Sequence, residues 1–245
     1  MTSPLRSAVI LSMLFAGPAA AGQHQHPATP SPHEAGAGHE QLGTVDFATS
    51  CSAEARPLFN RAVALLHSFE FGDAIKGFTA TLAKDPSCAI AEWGIAMSRW
   101  GNPFGQGQRA AVPLRDGAAA VARGKALGPK TPREQGYLDA VGVLFTNVDT
   151  VDQRTRIVAY RDAMEKLAAT NPADNEAQIF YALSIAGSNT PSDKTYAQLL
   201  KAGALLEKLI ADHPQHPGLA HYIIHSYDVP PLAERGLAAA RRYAT

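Results

Sequence analysis

Helix-forming segments that end at a proline recur along the chain. The pairs Asp85-Pro86, Asn171-Pro172 and His213-Pro214 each follow a long segment whose apolar residues return every three or four positions. Proline has no amide hydrogen and disfavours a helical conformation at the residue before it, so each pair ends one helix. Aromatic residues make up only 7% of the chain and alanine is frequent, which favours closely packed helices over a sheet. The chain is predicted to be all-α.

Apolar residues also stand at fixed distances before these prolines. A large apolar residue lies eight positions before each of the three, and an alanine lies twelve positions before the first and the last: Phe78, Met164 and Leu206; Ala74 and Ala202. This is the alanine, phenylalanine and proline spacing of a tetratricopeptide repeat, although the prolines are further apart than its usual unit of ~34 residues. The spacing predicts a tetratricopeptide-like solenoid of longer, degenerate repeats, in which antiparallel helix pairs stack with a right-handed twist.

Joints rich in Gly, Pro, Asn and Asp give the helix boundaries. They predict helices at residues 54–70, 73–84, 88–100, 109–127, 132–146, 151–170, 174–187, 194–212, 217–227 and 231–244. In the first helix, Leu58, Leu65 and Phe69 share the inner face, and His67 lies on the opposite, polar face.

The amino-terminal residues have the pattern of a secretory signal. Arg6 precedes a short apolar run, and Gly17-Pro18 lies before Ala19-Ala20-Ala21, a small-residue cleavage site. Residues 1–21 are therefore predicted to be a removed signal peptide, with a retained membrane anchor as the alternative. Residues 22–47 are predicted to be a flexible linker containing His, Pro and Gly, and residues 48–245 the helical repeat domain.

Export implies a periplasmic or secreted protein without a membrane segment after cleavage. Lys+Arg and Asp+Glu balance at 22 each, so no basic surplus points to nucleic acid as a partner. Cys51 stands just before the first helix of one repeat, and Cys88 stands at the start of the first helix of the next. Equivalent helices of a repeat stack run parallel, so their amino ends lie near each other, and an exported compartment permits a disulfide between the two cysteines. Two buried free thiols are the alternative.

A histidine pattern in the ninth helix is the strongest candidate site. His221, His225 and Asp228 are spaced i, i+4 and i+7 on an otherwise apolar helix, so they project from one side. Two imidazoles one turn apart can bind a transition metal, with the carboxylate as a third ligand. The alternatives are a structural network with Tyr222 and Tyr227, or solvent exposure. His213 and His216 could add ligands, although the proline after each is typical of a turn.

Two further metal sites are predicted more weakly. His67 and Glu70 are spaced i, i+3, but the amphipathic pattern favours a solvated or groove-lining surface. The number of intervening helices predicts that His67 is remote from His221, and only a strongly curved superhelix would bring the two together. Cleavage after Ala21 would make His24 the third residue of a new amino terminus, an arrangement that binds Cu(II) or Ni(II) in a square plane.

Aromatic and polar residues on the first helices of the pairs predict a concave binding groove. Trp93 and Trp100 are the aromatic candidates for anchoring a peptide, with Glu92, Tyr181 and Tyr222 as further groove residues. Core packing is the alternative for each of them.

The chain resembles bacterial exported tetratricopeptide-repeat proteins of undefined activity in four segments: 65–78, 85–104, 192–207 and 216–244. The most specific part is H-Y-x-I-H-x-x-D at residues 221–228. The resemblance implies a helical repeat fold, and it implies that relatives continue with another repeat holding further histidines. The domain is therefore predicted to be truncated at its carboxyl terminus.

Two functions follow from these patterns. The first is an exported binding or scaffold module for a protein or peptide, with a transition-metal site on the ninth helix. The alternative is a metal-dependent enzyme, hydrolytic or oxidative, that uses His221, His225 and Asp228 as ligands. The cofactor is expected to be a transition metal (Cu, Zn or Ni), with no cofactor as the alternative.

Overall fold

The computed structural model describes residues 42–105 and 107–243, and the regular secondary structure of this part of the chain is helical, without strands. Its ten helices are α1 (Arg56–His67), α2 (Phe71–Lys84), α3 (Ala89–Trp100), α4 (Ala111–Leu127), α5 (Pro132–Val143), α6 (Gln153–Thr170), α7 (Asn175–Gly187), α8 (Ala197–Asp212), α9 (Pro217–Tyr227) and α10 (Ala233–Tyr243). The all-α prediction is confirmed. Residues 1–41, with the predicted signal peptide, most of the linker and His24, lie outside the described residues.

Short polar side chains begin three of these helices. Thr131, Asp152 and Asp174 each accept a hydrogen bond from the backbone amide three residues further on, at 3.1, 2.9 and 3.2 Å. Such capping satisfies an amide that has no partner within the helix. Proline occupies the first position of α5 and α9, where its missing amide hydrogen costs nothing.

The apolar residues at the repeat positions hold the stack together. Five side chains at these positions have no exposed surface at all: Ala74, Phe78, Met164, Ala202 and Leu206. Each helix packs against the next one along the chain, from α1 to α10. This order of packing is that of a helical repeat solenoid, as predicted.

The helical stack is curved strongly enough for α9 to contact α1. Helix α9 packs against α1 and α7 as well as against its neighbours in the chain. The prediction that His67 is remote from His221 is therefore wrong, and the backbone carbonyl of His67 lies 2.6 Å from Nδ1 of His221. Counting helices overestimates the separation because small rotations between successive repeats add up to a strong curvature.

An extended segment, residues 42–50, packs on the helices. The ring of Phe47 is buried among Phe59, Trp93 and Tyr137, at centroid distances of 5.2, 5.3 and 5.0 Å. Val45 is buried too, so the folded region begins before the predicted linker boundary at residue 47.

A disulfide joins the end of this segment to the second repeat. Cys51 and Cys88 are bonded, with their Cα atoms 4.8 Å apart, as predicted from their positions before equivalent helices. Among the described residues, no helix has both the length and the apolar character needed to cross a bilayer.

Candidate metal centre

Two histidines and a glutamate meet in the interior where α1, α7 and α9 converge. His67 is the last residue of α1, Glu176 lies in the first turn of α7, and His216 is the residue before α9. Nε2 of His67 lies 2.9 Å from Oε2 of Glu176, and Nε2 of His216 lies 2.9 Å from Oε1. All three residues are buried, with exposed fractions of 0, 3 and 8%. We call these residues the buried cluster.

Neighbouring rings fix the position of His67 within the cluster. Phe180 stacks on its imidazole at 4.8 Å, and Tyr222 lies 2.9 Å from its Nδ1. The sequence pattern placed His67 on a solvated face, and this is wrong. Helix α9 covers that face, which the periodicity of α1 alone does not reveal.

The protons of the cluster can be assigned from its hydrogen bonds. An ionised carboxylate only accepts, so both Nε2 atoms carry a hydrogen and donate it to Glu176. If His67 is neutral, its Nδ1 then accepts a hydrogen bond from the Tyr222 hydroxyl. Nδ1 of His216 is buried and has no hydrogen-bond partner among the described residues.

Burial and charge act in opposite directions on these groups. Burial by itself would raise the pKa of Glu176, but the two imidazoles outweigh it and hold this pKa far below the usual range. Burial lowers the pKa of His67, against the carboxylate of Glu176, which raises it. The cluster is therefore a stable carboxylate between two imidazole donors.

The same three side chains could hold a metal ion. One ligand atom from each of His67, Glu176 and His216 lies within 4.8 Å of the others. Two imidazoles and a carboxylate are a common ligand set for Zn²⁺ and other divalent transition metals. Metal binding requires both hydrogens to move from Nε2 to Nδ1, and the Tyr222 oxygen is placed to accept the one on His67.

Close packing of α9 on His67 predicts a strong effect of one added methyl group. A Cβ at Gly218 would come within 2.5 Å of Nδ1 of His67, the atom that meets Tyr222. Gly218→Ala should therefore displace His67 and lower the free energy of unfolding by about 1–3 kcal/mol. Urea unfolding followed by circular dichroism measures this.

Gly236→Ala in α10 is the control. A Cβ added at Gly236 would have its nearest neighbour 3.6 Å away, so this variant should be as stable as the wild type or slightly more so. Equal effects at the two positions would contradict the prediction.

The sequence-predicted site on α9 is partly assembled. Nε2 of His221 and Nε2 of His225 are 3.1 Å apart, and both rings are half-buried. Asp228 ends α9 as an exposed C-cap residue and is not part of a three-residue ligand group in the described structure. Helix α9 ends at Tyr227, so the carboxylate lies outside the regular helix that the i+7 spacing assumes.

The metal-free protein should lose stability as the pH falls from about 6.5 to about 4. Burial has the largest effect on His221 and lowers its pKa to about 4, against 6.5 in an unfolded chain. Between these values the unfolded chain binds a proton that the folded protein does not, so acid favours unfolding, and above 6.5 this loss is absent. The difference corresponds to at most about 3 kcal/mol. Urea unfolding in EDTA at several pH values measures it. His221→Gln should make the profile shallower and leave the part due to His67 and His225, whose pKa values burial also lowers. An unchanged profile in this variant would contradict the assignment.

The other predicted metal ligands are placed differently. The carboxylate that meets His67 is that of Glu176 and not that of Glu70, which is exposed at the start of α2. His213 is exposed and contacts Asn175, whereas His216 is buried and belongs to the buried cluster.

The predicted groove residues have buried side chains. Trp93 packs against Phe47, and Trp100 and Tyr222 line a small apolar cavity. The other two form ion pairs or hydrogen bonds within the chain, Glu92 with Arg123, and Tyr181 with Glu165 and Lys201. Their exposed fractions are all 8% or less.

Sequence reasoning missed Glu176 altogether. An acidic residue in the first turn of a helix is normally explained by the helix dipole, so its position in α7 gives no separate signal. His216 was noted only as a turn residue or an additional ligand. The three members of the cluster are separated by 109 and 40 residues, and no local spacing connects them.

Comparison with protein-family models, curated proteins and solved structures finds no match for this chain.

Proposed function

We propose that this protein binds a divalent transition-metal ion, and that His67, Glu176 and His216 are its ligands. The observation that supports this most is the convergence of three ligand atoms within 4.8 Å in a buried position. Ionisable side chains are rarely fully buried unless they are paired or coordinate a metal. Here α1, α7 and the residue that precedes α9 each contribute one, from separate parts of the chain.

The donor set narrows the class of ion. Imidazole and carboxylate ligands suit Zn, Cu and Ni, whereas Mg and Ca prefer oxygen atoms alone. Only three protein ligands are present among the described residues, so a fourth position would remain for a water or another ligand, as in catalytic zinc sites. Zinc is the ion that fits this set best.

The setting supports an exported metal-binding protein. A disulfide between Cys51 and Cys88 persists in an oxidising compartment, and the amino-terminal sequence has the pattern of a secretory signal. The peptide-binding module predicted from the sequence has weaker support. The side chains assigned to its groove are buried, and Phe47 of the chain's own extended segment occupies the space beside Trp93.

A zinc titration of the full chain tests the proposal. His24, His26, His33 and His39 are first replaced by alanine, so that five of the nine histidines remain. Competition with a chromophoric chelator then gives the affinity, and elemental analysis after dialysis gives the stoichiometry. We expect tight zinc binding that His216→Ala weakens at least tenfold, since it removes one of three ligands.

His213→Ala is the matched control. This exposed histidine lies three residues before His216, and its removal should leave the high-affinity zinc binding unchanged. Circular dichroism of each variant verifies that the helices are intact. Zinc binding that is absent from the folded parent, or equally strong in His216→Ala, would refute the proposal.

A further inference from the structure

His221 and His225 form a pair that the buried cluster does not use. Their Nε2 atoms are 3.1 Å apart on successive turns of α9, and both rings reach the surface. Neither contributes a ligand atom to His67, Glu176 and His216. The pair is therefore a separate set of donors.

The carbonyl of His67 fixes the hydrogen on His221. This oxygen belongs to the last turn of α1, where carbonyl groups lack partners within the helix, and it accepts a hydrogen bond of 2.6 Å from Nδ1 of His221. With the hydrogen on Nδ1, the Nε2 atom of His221 has its lone pair directed at His225. In the metal-free protein His225 must then donate its own Nε2 hydrogen to it.

This arrangement is the one that metal-binding histidines usually have. Their second ring nitrogen commonly donates to a backbone carbonyl or a carboxylate, which fixes the tautomer and the direction of the ring. Aromatic rings restrict the pair further, because Phe104 stacks on His225 at 4.5 Å and Tyr243 stacks on His221 at 5.3 Å. Phe69 contacts His221 edge-on at 4.4 Å.

The distance between the two nitrogens sets the coordination angle. With metal–nitrogen bonds of about 2.0–2.1 Å, a separation of 3.1 Å corresponds to an angle of about 100° at the ion. This lies between the right angle of a square-planar ion and the tetrahedral angle, and it excludes a linear two-coordinate ion.

We propose that His221 and His225 form a second, solvent-reachable site that binds a divalent transition-metal ion in cis through their two Nε2 atoms. The ligand set differs from the one predicted from the sequence, since Asp228 is not a direct ligand. Burial lowers the pKa of His225, and the negative charge of Asp228 acts against this by raising it. Two protein ligands leave at least two positions open to solvent, so this ion exchanges faster than one in the buried cluster.

Copper titration of the full chain, again without the four amino-terminal histidines, distinguishes the two sites. Cu(II) is added in glycine buffer, which competes for weakly bound metal, and electron paramagnetic resonance reports the nitrogen ligands of each bound ion. The parent should bind two ions. His225→Ala should lose the ion held by His221 and His225 without a protein carboxylate and keep the ion of the buried cluster, whose ligands include Glu176, whereas His216→Ala should do the reverse.

Each outcome separates this proposal from the preceding one. Loss of one ion in His225→Ala alone supports the second site even if the buried cluster binds nothing. Unchanged stoichiometry and spectrum in both His225→Ala and His225→Asn would refute it, and so would a single ion that is lost from either His216→Ala or His225→Ala. His213→Ala should match the parent, and circular dichroism verifies that every variant is folded.

Discussion

Replacing Glu176 with alanine is expected to lower the free energy of unfolding by about 3–5 kcal/mol, because removing one member of a buried charged network leaves its partners without compensation. In this variant the Nε2 hydrogens of His67 and His216 lose their acceptor in the interior. A small cavity adds to the loss. Urea unfolding followed by circular dichroism at pH 7.5 in EDTA measures the change without any contribution from metal.

Two further variants show whether the carboxylate itself is responsible. Glu176→Gln keeps the size and one acceptor oxygen, so it should lose only about 1–3 kcal/mol. Glu234→Ala removes an exposed carboxylate from the first turn of α10 and should change the stability by about 1 kcal/mol or less. If Glu176→Ala is no less stable than Glu234→Ala, the cluster does not hold α1, α7 and α9 together.

Removing the disulfide should have an effect of similar size. The bond between Cys51 and Cys88 closes a loop of 37 residues that contains α1 and α2. A loop of this length lowers the entropy of the unfolded chain and so stabilises the folded protein by about 4 kcal/mol in the chain-entropy description. Cys51→Ala combined with Cys88→Ala should therefore unfold at a clearly lower urea concentration than the oxidised protein.

Reduction provides the control for the disulfide. A phosphine reductant should bring the wild-type protein close to the double alanine variant and should leave that variant unaffected. Because Cys88 is fully buried, the reduction is carried out on unfolded protein, which is then refolded in the reductant. Equal stability of the oxidised protein and the double variant would contradict the prediction.

The helices could be predicted closely because their signals are local. Helix α9 was predicted at residues 217–227 and occupies Pro217–Tyr227, since Pro217 sets its first turn. Helix α5 was predicted to continue to residue 146 but ends at Val143, and it is followed by turns. Leu58 was assigned to the inner face of α1 and is 37% exposed, because the neighbours of a helix decide which part of its apolar face is covered.

The two candidate metal sites differ in how far the spacing of residues in the sequence can predict them. The pairing of His221 with His225 follows from a spacing of one turn on one helix, and the structure brings their nitrogens together. The buried cluster joins residues from α1, α7 and the start of α9, and none of its members is within helical spacing of another. Its ligands could be found only after the helices were placed in space.

By itself, the sequence determined the helical class, the repeat punctuation and most helix boundaries, and it made a bond between Cys51 and Cys88 one of two alternatives. These properties depend on proline, on capping residues and on apolar periodicity within some twenty residues of chain. Only the tertiary structure decided that α1 contacts α9 and that His67 meets Glu176 and His216. The physical reason is that the curvature of a helical stack is the sum of many small rotations between repeats, and no single segment specifies that sum.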